Sequence, residues 1–162
     1  VLATKYLLKK VNDITLIRSE RQSVSSLERH RGFQATVKEY QNVHAESFIY
    51  GGDDRQLKVF LSKKMGIHRP FGIFANSDEL AVTILLQAHL LNIKVPEEMR
   101  LVGFDDAPIA KVCYPQLTTV QQDEEQIAKS ACNQLVDLMN HITIKNKTTI
   151  KIPVKLIIRG TA

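Results

Sequence analysis

Two stretches decide the fold: Phe71-Gly-Ile-Phe-Ala75 running into Asn76-Ser77-Asp78, and Met99-Arg-Leu-Val-Gly-Phe104 running into Asp105-Asp106. Each is an apolar run of the length and composition of a buried strand, ended by polar residues that start a helix or a turn. Between them Leu80 to Asn92 is a strongly apolar helix. Successive βα units of this kind require parallel strands joined by right-handed crossovers, so the fold class is α/β, a doubly wound parallel sheet. The same grammar extends outward in both directions. Thr4 to Lys10 reads as a helix end, and Asp13-Ile-Thr-Leu-Ile17 as a strand closed by Arg18-Ser19-Glu20. Ser25-Ser26-Leu27-Glu28 offers a capping box for a helix over 25–41. Ser47 to Tyr50 is a strand and Gly51-Gly52 a turn. Asp53 caps a helix carrying Leu57, Phe60, Leu61 and Met65, with Gly66 at its close. Beyond Pro115 come a short strand, Leu117 to Val120, and a helix with acid at its N-terminus, Asp123-Glu124-Glu125. Ile127, Ala131, Leu135 and Leu138 mark that helix's apolar face. A polar stretch, 141–149, leads to a last strand over 150–158 in which Pro153 suits an edge position.

At 162 residues the chain is one domain or a piece of a longer protein, and it can build a core without staples. Its opening, VLATKYLLKK, lacks an initiator Met and already reads as helix, so the expectation is that the chain begins inside a longer protein and carries no export signal of its own. No apolar run approaches the length of a membrane span. Cys113 and Cys132 fit neither a disulfide framework nor a zinc spacing, which points to a cytoplasmic setting. The net charge of +5 is scattered, with a local cluster only at Lys63, Lys64 and Arg69. A nucleic-acid surface shows a basic stripe, so direct DNA binding by this stretch is not expected.

Ligands of open α/β sheets bind outside the carboxyl ends of the strands. The residues expected there are Arg18 and Ser19, Tyr50 and Gly51, Asn76 and Ser77, and Asp105 and Asp106. Hydroxyls, amides and carboxylates with an aromatic nearby suit a polyhydroxylated small molecule. The plainer reading is that Ser77 and Asp78 cap a helix and Asp105-Asp106 make a turn. No nucleophile elbow, phosphate loop or zinc-protease run occurs, and the histidines stand singly, so no catalytic residue, metal site or cofactor is assigned. A Mg-dependent enzyme using Asp53 and Asp105 is the enzymatic alternative. The helix after Ser77 is apolar nearly all round. Leu80, Ile84, Ala88 and Leu91 can cover the sheet, while Val82, Leu85, Leu86 and Leu90 remain. A homodimer through Val82 and Leu86, continuing over Ile109, Cys113 and Tyr114, would cover this second face; the alternative is a helix central in the sheet packing.

Arg69-Pro-Phe-Gly-Ile-Phe-Ala-Asn-Ser-Asp-Glu-Leu-Ala81, Val95-Pro-Glu-Glu-Met-Arg-Leu-Val-Gly-Phe-Asp-Asp106 and Pro115-Gln-Leu-Thr-Thr-Val-Gln-Gln122 together resemble the effector-binding module of the lactose/galactose repressor (LacI/GalR) regulators. Arg29-His-Arg-Gly-Phe33 and Ile158-Arg-Gly-Thr161 support the resemblance. It covers the whole chain but only about the second half of that module. It implies a two-lobed fold like that of periplasmic sugar-binding proteins, each lobe flavodoxin-like in arrangement. Residues 1–114 and 150–162 would form the C-terminal lobe, with 115–149 crossing into an N-terminal lobe that is missing here. The helix over 122–140 would then be exposed or swapped, and the DNA-binding domain would lie outside this chain. The implied effector contacts are Arg29, Ser77 and Asp105, with Asn76, Ser19 and Tyr50 nearby and Tyr50 standing where the family often has a stacking aromatic. The implied function is sensing of a sugar or sugar phosphate by a dimeric, cytoplasmic repressor that reads operator DNA. A periplasmic-type sugar-binding protein shares the fold and is the non-enzymatic alternative; it predicts a signal peptide upstream.

Overall fold

The computed structural model describes residues 1–21, 23–67, 70–140 and 149–162. Arg69 of the basic cluster and most of the polar stretch 141–149 lie outside these residues. In chain order the elements are α1 (Leu2–Leu8), β1 (Asp13–Ser19), α2 (Val24–Val37), β2 (His44–Tyr50), α3 (Asp54–Ile67), β3 (Phe71–Ala75), α4 (Asp78–Leu90), β4 (Met99–Asp105), α5 (Ile109–Val112), β5 (Thr118–Gln121), α6 (Glu124–Met139) and β6 (Lys155–Ile157). One six-stranded sheet runs β2-β1-β3-β4-β5-β6. Its first five strands are parallel, and β6 returns antiparallel against β5. The doubly wound class read from the sequence is therefore the observed one.

Both faces of the sheet are covered, which is why β3 is apolar at every position and fully buried. On one face Ile17, Ile73, Met99 and Leu101 pack under Leu57 and Leu61 of α3 and Ile84 of α4. On the other, Ile14, Leu16, Phe74, Val102 and Val120 pack under Leu7 of α1 and Phe33 of α2. Each such buried aliphatic or aromatic side chain contributes about 1.5–3 kcal/mol relative to exposure, so these two layers hold the fold. Gly72 sits where a Cβ would press within 2.9 Å of Val11 Cγ2, so glycine is what lets α1 and its following turn approach β3.

Several expected boundaries move. The α2 cap is Ser23, whose Oγ accepts from the Ser26 N–H at 3.1 Å; Ser25 does not cap. This releases Ser26, which is buried, for a side-chain bond described below. β2 extends back to His44 because all seven of its residues pair with β1. α3 runs through Gly66 to Ile67, and Gly66 does not adopt the left-handed conformation of a helix stop. The last strand shrinks from 150–158 to Lys155–Ile157, since β5 offers only a short partner. β5 itself lies in this sheet beside β4, so the segment that departs from it is α6. The expected buried face of α6 is not buried: no residue of that helix is, and Leu135 and Leu138 are each 59% exposed. Among the described residues no helix is long and apolar enough to cross a membrane.

Candidate functional site

The carboxyl ends of β3, β4 and β5 converge with α2. The guanidinium of Arg29, on the second turn of α2, lies 3.8 Å from the centroid of the Phe104 ring. Its Nη1 donates to the Asn76 carbonyl at 2.5 Å, and its Nη2 approaches Asp105 Oδ1 at 3.4 Å. Asp105 Oδ1 also accepts from Gln122 Nε2 at 2.7 Å. Burial pushes the Asp105 carboxyl up from its ordinary range, against the opposing pull of Arg29 and the Gln122 bond. Burial lowers Arg29, and the charges of Asp105 and Asp78 counter it. The Asp105 backbone is strained, with φ 114, and Asp106 follows at φ 58. The two adjacent carboxylates are thereby turned apart, Asp105 toward Arg29 and Asp106 onto Arg159 at 2.6 Å.

Asp78, expected only as a helix-start residue, is fully buried. Its Oδ1 accepts from Thr119 Oγ1 at 2.6 Å and its Oδ2 from the Ala107 N–H at 2.8 Å. A Cβ on Gly103 would run into this carboxylate, so glycine at that point of β4 makes room for it. Burial pushes the Asp78 carboxyl up, with the Thr119 and Ala107 bonds opposing.

Of the six effector residues expected from sequence, Arg29, Asn76 and Asp105 meet. Ser77 adjoins them, but its Oγ accepts from the Leu80 N–H at 3.3 Å, the cap of the plainer reading. Ser19 and Tyr50 pair with each other at the carboxyl ends of β1 and β2, on the same edge of the sheet as Asp105 but two and three strands from β4. Tyr50 donates to Asp54 Oδ1 at 2.6 Å, and this bond holds its phenol above the ordinary range. Sequence reasoning missed Phe104, Gln122, Asp78 and Thr119. The Phe-Asp-Asp run and the Gln121-Gln122 pair at the end of β5 were the available signals.

Beside Asp105 a cavity of about 680 Å³ opens, lined among others by Asp106, Lys111, Gln121, Gln122 and Lys155. That size accommodates a small polar molecule. Asp53, the enzymatic candidate, instead accepts from the Arg55 N–H at the start of α3. Among the described residues no group of three or more His, Cys, Asp or Glu side chains is arranged to hold a metal ion. Across α4 and α5 the candidate dimer residues form an apolar surface: Leu86 is 53% and Tyr114 93% exposed, Ile109 is exposed, and Val82 and Cys113 are partly buried.

The family model for periplasmic binding protein-like domains matches residues 4–162. The chain belongs to that family. Among curated relatives, the NTD biosynthesis operon regulator NtdR of Bacillus subtilis is 29% identical over 140 residues, covering 85% of this chain and 43% of NtdR. A LacI family regulator from Enterococcus faecium, solved with bound ribose, superposes with TM-score 0.80 at 21% identity, covering 99% of this chain and 60% of that one. The lac repressor dimer bound to operator superposes with TM-score 0.81 at 22% identity, covering 99% of this chain and 56% of that one. The LacI/GalR resemblance and the periplasmic-binding-protein-like fold are borne out. The matched relatives are named as regulators, and this chain spans less than half the length of NtdR.

Proposed function

We propose that this periplasmic binding protein-like chain is the C-terminal lobe of the effector-sensing module of a cytoplasmic transcriptional repressor, and that the cleft beside Asp105 takes a sugar-like molecule. The observation that carries the reading is the Arg29–Asp105 pair on the Phe104 ring. It sets a fixed donor fork next to a half-buried carboxylate held in a strained backbone. A carboxylate so placed accepts from vicinal hydroxyls while the guanidinium donates to a neighbouring oxygen. Residues 1–114 and 150–162 belong to this lobe, and the exposed apolar face of α6 belongs against a second lobe. An effector bridging the lobes biases their angle by its difference in affinity between open and closed states. In a homodimer formed over α4 and α5, that angle sets the spacing of heads that read operator DNA, which lie in a domain outside this chain.

The test is calorimetric titration of pentoses and hexoses, D-ribose included, into the full-length protein and its Asp105→Ala variant. Saturable binding that weakens about tenfold or more in the variant is expected, the scale of one charge-assisted hydrogen bond. Binding that survives Asp105→Ala unchanged, or no binding together with no sugar effect on operator affinity, overturns the reading.

A further inference from the structure

Arg18, at the carboxyl end of β1, is a cation that the effector reading does not use. It stands one position past Ile17, which pairs with Ala75, so it lies beside Asn76 and pairs on its other side with Ile49. Side chains alternate along a strand and neighbours in register share a face. Leu16, Phe74 and Val102 all lie in the core under α2, so Ile49, Arg18, Asn76 and Phe104 form the last row on that face. Helix α2 covers this row. Ser26 accepts from Asn76 Nδ2 at 2.9 Å, Arg29 stacks on Phe104, and His30 bonds Ser47 at 3.2 Å.

At the neighbouring strand ends and helix starts the charges are matched. Arg29 faces Asp105, Asp106 faces Arg159, and Asp78 is held by Thr119 and Ala107. Arg18 is half-buried, and among the described residues its Nε and Nη1 are buried without a hydrogen-bond partner and no carboxylate pairs with it. A buried guanidinium with unsatisfied donors is costly unless a counter-charge arrives. Next to it, Asn76 Oδ1 is likewise buried and unpartnered. The Asn76 amide can turn over while keeping its Ser26 bond, the hydroxyl then donating, and Nδ2 then takes the place of Oδ1 as a second donor on the row that Arg18 shares. His30 does not act as a competing cation, since burial and the charge of Arg18 both lower its pKa.

Resting on the reading of the cleft as an effector site, we propose that Arg18, with Asn76, is an oxyanion subsite that takes a phosphoryl or carboxylate group of the effector while Arg29 and Asp105 hold its hydroxyls. From β1 to β4 is two strand spacings, about 10 Å, which a monosaccharide bearing a terminal anionic group can span. The effector class is thereby narrowed to sugar phosphates and sugar acids.

The direct test is the Arg18 Nε–H resonance in ¹H–¹⁵N spectra, assigned by its loss in Arg18→Gln. The protein is titrated with sodium phosphate and, separately, sodium acetate, against sodium chloride at matched ionic strength. Saturable movement with phosphate or acetate and none with chloride is expected. A response to phosphate alone assigns the subsite to phosphoryl groups, and a response to acetate assigns it to carboxylates. No saturable movement with either anion, or the same movement with chloride, overturns the proposal whatever the fate of the sugar reading. In parallel, calorimetry with D-glucose 6-phosphate and D-glucose should show tighter binding of the phosphate, with Arg18→Gln erasing that preference about tenfold or more and leaving D-glucose unchanged. Arg18→Lys, which retains the charge, should keep part of it. A preference that survives Arg18→Gln overturns the proposal while leaving the sugar site standing.

Discussion

Thr119 Oγ1 donates to Asp78 Oδ1 at 2.6 Å, and through this bond the first turn of α4 is fastened to β5, the last parallel strand before the chain departs into α6. The same carboxylate takes the Ala107 N–H, so one buried acid fixes the loop that follows Asp105 and Asp106. The site's geometry thus depends on a residue that need not touch a ligand.

Thr119→Val keeps the shape of the side chain and removes the donor. A buried carboxylate losing one of its hydrogen bonds costs about 1–3 kcal/mol, so the variant should be less stable by that amount at pH 7 in urea unfolding. The Asp78 carboxyl is already raised by burial, and loss of the Thr119 bond raises it further. A group whose folded pKa exceeds its unfolded value binds more protons in the folded state. Its contribution to stability is therefore fullest below the unfolded carboxylate pKa and is lost as pH rises through the folded one. The gap between variant and wild type should accordingly narrow as pH falls from 7 toward the carboxylate range; a gap that widens there would contradict this account.

The fold was legible because its signals are local and redundant. Phe71 to Ala75 is apolar throughout and Met99 to Phe104 at every position but Arg100, as strands covered on both faces need to be. Arg29 and Asp105 were legible through the motifs around them. Asp78 was not, because Ser77-Asp78 at a helix start reads equally well as ordinary capping, and its burial follows from Gly103 and Thr119, more than twenty residues away in sequence. Tyr50 and Ser19 share that edge of the sheet with Asp105, and the sequence alone does not say how far along it they stand. Position along that edge depends on strand order, which puts β1 two strands and β2 three strands from β4. The exposure of α6 was foreseen only through the family resemblance, since its apolar spacing by itself predicts burial.

Gly103→Ala tests the same carboxylate from the other side. The added methyl would meet Asp78 and lie 2.9 Å from Leu117 Cδ2, both held by packing. Overpacking of this kind costs about 1–3 kcal/mol. A lower midpoint of thermal unfolding is expected, together with weaker effector binding as the Asp78 bonds to Thr119 and Ala107 are displaced. An unchanged midpoint would mean that β4 and α4 are free to separate.

The exposed apolar surface of α4 and α5 predicts self-association. Leu86→Asp replaces a side chain that is half exposed in the single chain, so folding should be little affected, while a charge placed at the centre of a subunit contact carries a desolvation penalty. Sedimentation velocity on the full-length protein should shift toward monomer. A dimer of unchanged strength would remove α4 from the interface.

Asp105 combines two costs, a carboxyl raised by burial and a non-glycine residue at φ 114. Backbone strain of this type costs about 1–3 kcal/mol, and glycine, lacking Cβ, is free of it. Asp105→Gly and Asp105→Ala both leave Arg29 without its carboxylate, but only the glycine variant is relieved of the strain. It should therefore be the more stable of the two at pH 7, against the usual direction for glycine substitutions, while losing effector binding. Asp105→Ala loses binding too but keeps the strain. Chemical denaturation of the two variants side by side isolates the backbone contribution. A glycine variant less stable than the alanine one would show that φ 114 is not held at the expense of stability.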